Sequence, residues 1–401
     1  MKTVYNKHID RREVQKMKLN RRFAGRNTAD GTYRVQCGGA QRMRLAWDAK
    51  DGEMEDYLDF ACLPMDENGC AEFVLSGEHS VPPGATHIRL TAEFADGHTR
   101  TRRFLIPETR RTQPIAPALR LCLMSDLHMT KKPFRLRNAI RMGSAYDAIL
   151  FAGDITNDGT PEQFERVRQI IEEEAPDTPV IAVCGNHDWP HRPMPEIFDG
   201  VSNYYLFQRW LLERAQRMGV EVSEDDSGAF AARIKGVPIF GLNAVSHFRR
   251  FIFHDGRQLD WLERQLSAAG DGTKIVMCHA PLRAHRPAKE SEAPYLSRDA
   301  RLQAIINGAK NVVFHSGHTH VTLNEMNGCV EHDHERGHVY LNDGSICVTT
   351  FRVHEAIEEE DWLAGAVAEL SIAGDEIEIA GRTIYGRKRF GRAYYRFGRK
   401  E

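Results

Sequence analysis

Along the first 117 residues, apolar and polar positions alternate in short runs. Ile88, Leu90, Ala92 and Phe94 interleave with His87, Arg89, Thr91 and Glu93, the period-two pattern of a strand with one buried face. Segments 32–37, 43–48, 57–63, 70–75, 86–94 and 99–106 are the predicted strands. Turn signals separate them at Asp51-Gly52, Asn68-Gly69, Pro82-Pro83-Gly84 and Asp96-Gly97. Asp-Gly between two alternating runs is a strong hairpin signal, because the glycine accepts a positive φ. Short strands without a convincing helix predict a small β-sandwich over residues 1–117. Pro107, Pro114 and Pro117 mark the end of that zone as a linker.

The pattern changes at Ala118. Continuous apolar runs at 119–124, 148–152, 180–184, 237–242, 274–278 and 311–315 read as strands buried on both faces. Between them, helical periodicity predicts helices at 161–174, 204–218, 258–269 and 298–307. Pro161 behind Thr160 suits a capped helix start. Residues 118–401 are therefore expected to form a layered α/β domain whose strands run into polar clusters.

Composition narrows the function. The chain has 401 residues, of which 41% are hydrophobic and 27% charged, with a net charge of −2. That is ordinary globular usage, long enough for two or three domains, and it disfavours a globally basic nucleic-acid binder. No apolar run approaches the 18 or so residues of a membrane helix. The polar, basic stretch 1–26 lacks a signal peptide's apolar core, so a soluble cytoplasmic protein is expected. Eight cysteines without a CxxC pair do not make a disulfide scaffold. Cys122, Cys184 and Cys278 sit in apolar runs and read as small buried thiols. Residues 382–401 mix Lys and Arg with Tyr385, Phe390, Tyr394, Tyr395 and Phe397. Such a segment can stack on bases, but a final strand packing its rings on the core is favoured.

Five polar clusters follow apolar strands: Asp126-Leu127-His128, Gly153-Asp154, Gly185-Asn186-His187-Asp188, His279 and Gly317-His318-Thr319-His320. Each alone reads as a turn or a polar loop. Together they collect carboxylate, imidazole and amide oxygen at strand ends, where open α/β sheets place their sites. The pairs Asp126/His128 and His318/His320, two residues apart, would aim the same way from extended chain. The donor count exceeds what one metal ion needs and suits two.

This set, in type, order and spacing, resembles the calcineurin-like metallophosphoesterase superfamily over residues 118–351. The resemblance implies a four-layer α/β/β/α sandwich, here preceded by a small all-β domain of immunoglobulin or fibronectin type. It implies two metal ions, Mn, Fe or Zn: Asp126, His128 and His320 on the first, Asn186, His279 and His318 on the second, and Asp154 bridging. His187 would lie over the substrate and assist the leaving group, with Asp188 orienting it. The implied activity is phosphoester hydrolysis by in-line attack of a metal-bridging hydroxide.

Departures from family patterns refine the substrate. Protein serine/threonine phosphatases carry GDxVDRG, and this chain lacks that arginine in Gly153-Asp154-Ile155-Thr156-Asn157-Asp158-Gly159. Purple acid phosphatases place a tyrosine where Asn157 stands. The pattern is more similar to bacterial cyclic-nucleotide and glycerophosphodiester phosphodiesterases, so a small phosphoester is the expected substrate, a phosphodiester ahead of a phosphomonoester, and no membrane partner is expected. Alternatives are a nuclease that uses the basic termini, and a scaffold that keeps the fold without catalysis. The latter is disfavoured because no ligand is missing. Residues 189–200, with His191 and Arg192, and the pair His285-Arg286 could wall the cleft. His332, Asp333, His334 and His338 are expected to form a solvated hairpin.

Overall fold

The computed structural model describes residues 23–27, 32–54, 57–58, 61–63, 65–74, 81–108, 111–129, 133–189, 202–246, 251–253, 256–285, 295–296, 298–320, 329–343, 345–346, 365–384 and 389–398. The basic leader 1–22, most of the proposed cleft wall 189–200, Arg286 and Tyr385 lie outside them. The chain divides into two compact units, Met1–Pro114 and Ile115–Glu401.

The N-terminal unit is antiparallel. Thr32–Cys37 pairs with Phe23–Asn27 on one side and Cys70–Val74 on the other. A second sheet sets Ala40–Ala49 beside His87–Phe94, which pairs with Thr99–Leu105. Alternation along His87–Phe94 is as read: Ile88, Leu90, Ala92 and Phe94 are buried. They meet Tyr33, Val35 and Cys37 of the first sheet in one core. The hairpin at Asp96-Gly97 forms, with Gly97 at φ 78° and its N–H donating to the Phe94 carbonyl at 2.9 Å.

The C-terminal unit holds two mixed sheets. In the first, Val180–Ala182, Ala148–Phe151 and Leu119–Met124 run parallel. Ala366–Ala373, Glu376–Thr383 and Arg389–Gly398 then extend the sheet antiparallel. In the second, Val237–Gly241, Lys274–Met277, Val312–Ser316 and His338–Asn342 form the parallel centre. Phe230–Ile234 and Val330–Asp333 flank it antiparallel.

Helices cover one face of each sheet. Phe134–Gly143, Pro161–Glu174 and Asn203–Arg217 bury Ile140, Val167, Ile171 and Leu211 against Cys122, Met124, Ile149 and Phe151. Arg257–Ala268 and Ala300–Asn307 bury Leu262 and Ile306 against Val276, Phe314 and Tyr340. The alternate residues of the same strands, Leu121, Leu123 and Leu150 in one sheet and Ile275, Met277 and Val313 in the other, are equally buried. With both faces of both sheets covered, the layers follow the α/β/β/α order. Thr160 caps the helix at Pro161 as expected, accepting from the Gln163 N–H.

Other elements fall differently from expectation. The helix Phe134–Gly143 was not predicted: no side chain caps its start, which is Pro133. Residues 332–338 do form a hairpin, but His338 is fully buried in it and accepts from the Val312 N–H. The C-terminal aromatic segment is a strand, with Tyr394, Tyr395 and Phe397 buried. Among the described residues, no helix is long and apolar enough to cross a membrane.

Candidate metal centre

Short polar turns follow the parallel strands Leu119–Met124, Ala148–Phe151, Lys274–Met277 and Val312–Ser316, and they converge. The first two lie side by side: Asp126 N–H donates to the Gly153 carbonyl and His128 N–H to the Asp154 carbonyl, at 3.0 and 2.9 Å. The turn at Gly317 joins the one at His279 through a 3.0 Å bond from the Gly317 N–H to the His279 carbonyl. Two motif glycines are there for space. A Cβ on Gly185 would lie 2.1 Å from Asp154 Oδ1, and one on Gly317 would lie 2.3 Å from Ser125 Oγ.

These turns bring the expected residues into two groups that share one member. Asp126, His128, Asp154 and His320 form the first, and Asp154, His279 and His318 the second; within each group the donor atoms lie within 4.8 Å of one another. In the first, His320 Nε2 is 3.2 Å from Asp126 Oδ1 and 3.2 Å from His128 Nε2. In the second, His279 Nε2 is 3.4 Å from Asp154 Oδ2 and 3.1 Å from His318 Nδ1. Asn186 Oδ1 is buried without a hydrogen-bond partner among the described residues, and the buried Asp126 Oδ1 faces the His320 imidazole. Buried oxygens of that kind, set among convergent imidazoles, are what divalent cations coordinate.

Protonation fits the same use. Burial works to raise the Asp126 carboxyl, but the charge and hydrogen bond of His320 outweigh it and hold Asp126 well below the usual range. Asp154 is held low against burial in the same way, by His279 and His128. Burial and the charge of His279 push His318 down to about 3. Burial opposes a charge on His279 too, yet Asp154 overcomes it and lifts His279 to about 9. The anionic field that favours a proton there equally favours a metal cation. The tautomer is fixed from behind: His279 Nδ1 lies 2.6 Å from the Ala152 carbonyl, which can only accept, so Nε2 faces the site.

His187 stands beside the groups and outside both. Its ring lies edge-on to that of His128 with centroids 4.6 Å apart, and its backbone N–H donates to Asp154 Oδ1 at 2.8 Å. The expectation that Asp188 orients this ring gives way to a different arrangement. The ring's Nδ1 donates to the Asn157 carbonyl at 2.9 Å. The buried Asp188 carboxylate instead accepts from the N–H groups of Thr156 and Gly185, both at 2.8 Å, tying two turns together. Burial, with the Asp154 charge nearby, pushes Asp188 up to about 7.

Sequence reasoning missed several supporting groups. Ser125, His315, Asn342 and Asp343 are buried behind the first group. Phe251 packs edge-on against His318, centroids 4.7 Å apart, beside the second. Ser125, His315 and Asn342 share one available clue, a polar residue at the end of a buried strand, and Phe251 carries no local signal.

A family model for calcineurin-like phosphoesterases matches residues 119–322. A probable cyclic nucleotide phosphodiesterase of Synechococcus sp. is 28% identical over 179 residues, 42% of this chain and 60% of that protein. Another, of Rhodococcus erythropolis, is 27% identical over 191 residues, 46% of this chain and 55% of that protein. The chain thus spans little more than half the length of these curated relatives. Among solved structures, a purple acid phosphatase from yellow lupin seeds aligns over 94% of this chain and 74% of its own, with a TM-score of 0.45 and 13% identity. A phosphoesterase from E. coli aligns over 70% of this chain and 100% of its own, with a TM-score of 0.31 and 12% identity.

Proposed function

The chain belongs to the calcineurin-like phosphoesterase family, and from that premise we propose that it is a dinuclear metal-dependent phosphoesterase acting on a small phosphodiester. One observation carries the proposal: Asp154 is common to both donor groups, as a carboxylate shared by two ions would be. Asp126, His128 and His320 would hold the first ion with Asp154, and Asn186, His279 and His318 the second. Mn, Fe and Zn all suit this mixture of nitrogen and oxygen donors. Bound there, two such ions supply an activated water near neutral pH and neutralise phosphoryl charge.

The chain's own residues do the rest. The Ala152 carbonyl fixes His279 in one tautomer, and the Asn157 carbonyl fixes His187. With Nδ1 committed, His187 exchanges a proton through Nε2, suited to a leaving oxygen next to the site. Its backbone bond to Asp154 couples that ring to the shared carboxylate. Both curated relatives are named probable cyclic nucleotide phosphodiesterases, which supports a diester over a monoester. Cys70, Cys122, Cys184 and Cys278 are free thiols, in keeping with a reducing compartment, and we place the protein in the cytoplasm.

The test is hydrolysis of bis-p-nitrophenyl phosphate, p-nitrophenyl phosphate and cyclic nucleotides by the full chain, before and after chelation and Mn²⁺ replacement. Turnover should be faster on the diesters, vanish with chelation and return with Mn²⁺. Undiminished turnover after chelation would contradict metal dependence, and faster monoester turnover would contradict the diester.

A further inference from the structure

Beyond the end of strand His338–Asn342, the chain crosses behind two of the three turns of the first donor group, and its described residues contribute no donor to it. Asn342 grips the histidine turn: its Nδ2 donates to the Gly317 carbonyl, and its Oδ1 accepts from Thr319 Oγ1, both at 2.6 Å. Asp343 N–H donates to the Ser316 carbonyl at 3.0 Å, and Ile346 N–H to the Ser125 carbonyl at 3.2 Å. The fully buried Asp343 carboxylate lies between two partners. His315 Nε2 is 2.6 Å from its Oδ2, and Ser125 Oγ is 2.6 Å from its Oδ1. The same Ser125 hydroxyl is 2.6 Å from Asp126 Oδ2.

Asp126 Oδ2 also accepts from the His318 N–H at 2.9 Å. One carboxylate oxygen is therefore committed to the fold, while the buried Oδ1 is turned to the donor group, 3.2 Å from His320 Nε2. A carboxylate can exchange its two oxygens by rotating about the bond that carries it. Bonds to Oδ2 alone remove that freedom.

We infer that Asp343, acting through Ser125, is a positioning residue that holds Asp126 with Oδ1 turned toward the first metal group. The inference rests on the metal reading above and adds to it a buried His315–Asp343–Ser125–Asp126 chain. Outer partners of this kind typically change metal affinity by about 10–100-fold. Because the carboxylate held, Asp126, is a donor of the first group and not of the second, the effect falls on one ion of the two.

Titration of the full-length, metal-free protein with Mn²⁺, followed by the electron paramagnetic resonance of the free ion, tests this without reference to turnover. Wild type should bind two ions tightly. Ser125→Ala and Asp343→Ala should each weaken one ion by roughly 10–100-fold and spare the other. Asp343→Asn can donate its amide N–H to Ser125 Oγ, leaving that hydroxyl's single proton for Asp126, while its amide oxygen accepts from His315 Nε2, so it should hold both ions within a few-fold of wild type. Should Asp343→Ala fail to fold, Ser125→Ala, which removes a single oxygen, decides alone. Two ions held at wild-type affinity in the alanine variants would overturn the positioning role, as would equal loss in Asp343→Asn and Asp343→Ala. Wild type that binds no Mn²⁺ would overturn the metal reading itself, a distinguishable result.

Discussion

In the N-terminal unit, every described residue with a clearly positive φ is a glycine: Gly39, Gly52, Gly69, Gly84 and Gly97. In the C-terminal unit, eight described non-glycine residues take positive φ; Asp126, His128, Asp154, His318 and His320, between 41° and 71°, belong to the donor groups, and Lys235, Arg298 and Asn311 do not. Burial divides the units the same way. The N-terminal core is apolar, and its buried Asp48 is paired with Arg89 and Arg103. The C-terminal unit closes Asp126, Asp154, His279, His315 and Asp343 almost completely from solvent. Each left-handed non-glycine residue costs about 1–3 kcal/mol and persists where the surroundings enforce it. One unit is thus built from locally favourable choices, and the other holds unfavourable ones in place to aim side chains at a common point.

The largest break in this comparison should come from Asp154→Asn. Asparagine tolerates the left-handed backbone and keeps an acceptor for the His187 N–H, so the fold should survive. The shared negative charge is gone, however. Turnover should fall by roughly 10³-fold or more, the scale of losing a group that stabilises transition-state charge, and metal analysis should find fewer than two ions per chain. Near-normal turnover with two ions would mean that Asp154 does not join the groups.

His187→Ala should separate chemistry from metal binding. An alkoxide leaves poorly without a proton and p-nitrophenolate leaves well, so an alkyl ester should lose about 10²–10⁴-fold and the activated ester little. Metal content should be unchanged. Equal losses on both esters would assign His187 to holding phosphate instead.

A matched pair of substitutions sharpens the contrast between the units. At Gly185 the backbone is ordinary, with φ −112°, but a Cβ would strike Asp154. Gly185→Ala should displace that carboxylate and lower turnover on the order of 10²-fold, as a misplacement near 1 Å does. At Gly97 the reverse holds: φ is 78° and nothing lies within 4 Å of a Cβ. Gly97→Ala should cost about 1 kcal/mol by denaturant unfolding and leave turnover per folded molecule unchanged. If the two variants behaved alike, the separation of space from conformation would fail.

What the sequence reveals follows the same division. Alternation along His87–Phe94 and the Asp96-Gly97 turn are local signals, and the structure carries both. The donor set was legible because each member sits within a few residues of a buried strand's end. Asp343 was not legible: it acts on Ser125 across 218 positions, and no local pattern pairs them. The family resemblance made Asp188 the residue that orients His187, whereas the ring's Nδ1 bonds the Asn157 carbonyl, 30 positions away. Strand Ala366–Ala373 escaped notice because buried Glu369, paired with Arg120 and Arg382, interrupts its apolar run.

The central claim is that Asp154 joins two metal ions, and anomalous scattering from a crystal of the Mn²⁺-loaded protein tests it most directly. Two peaks on the order of 3.5–4 Å apart, with Asp154 in contact with both, are predicted. A single peak, or two peaks of which Asp154 touches at most one, would contradict the account.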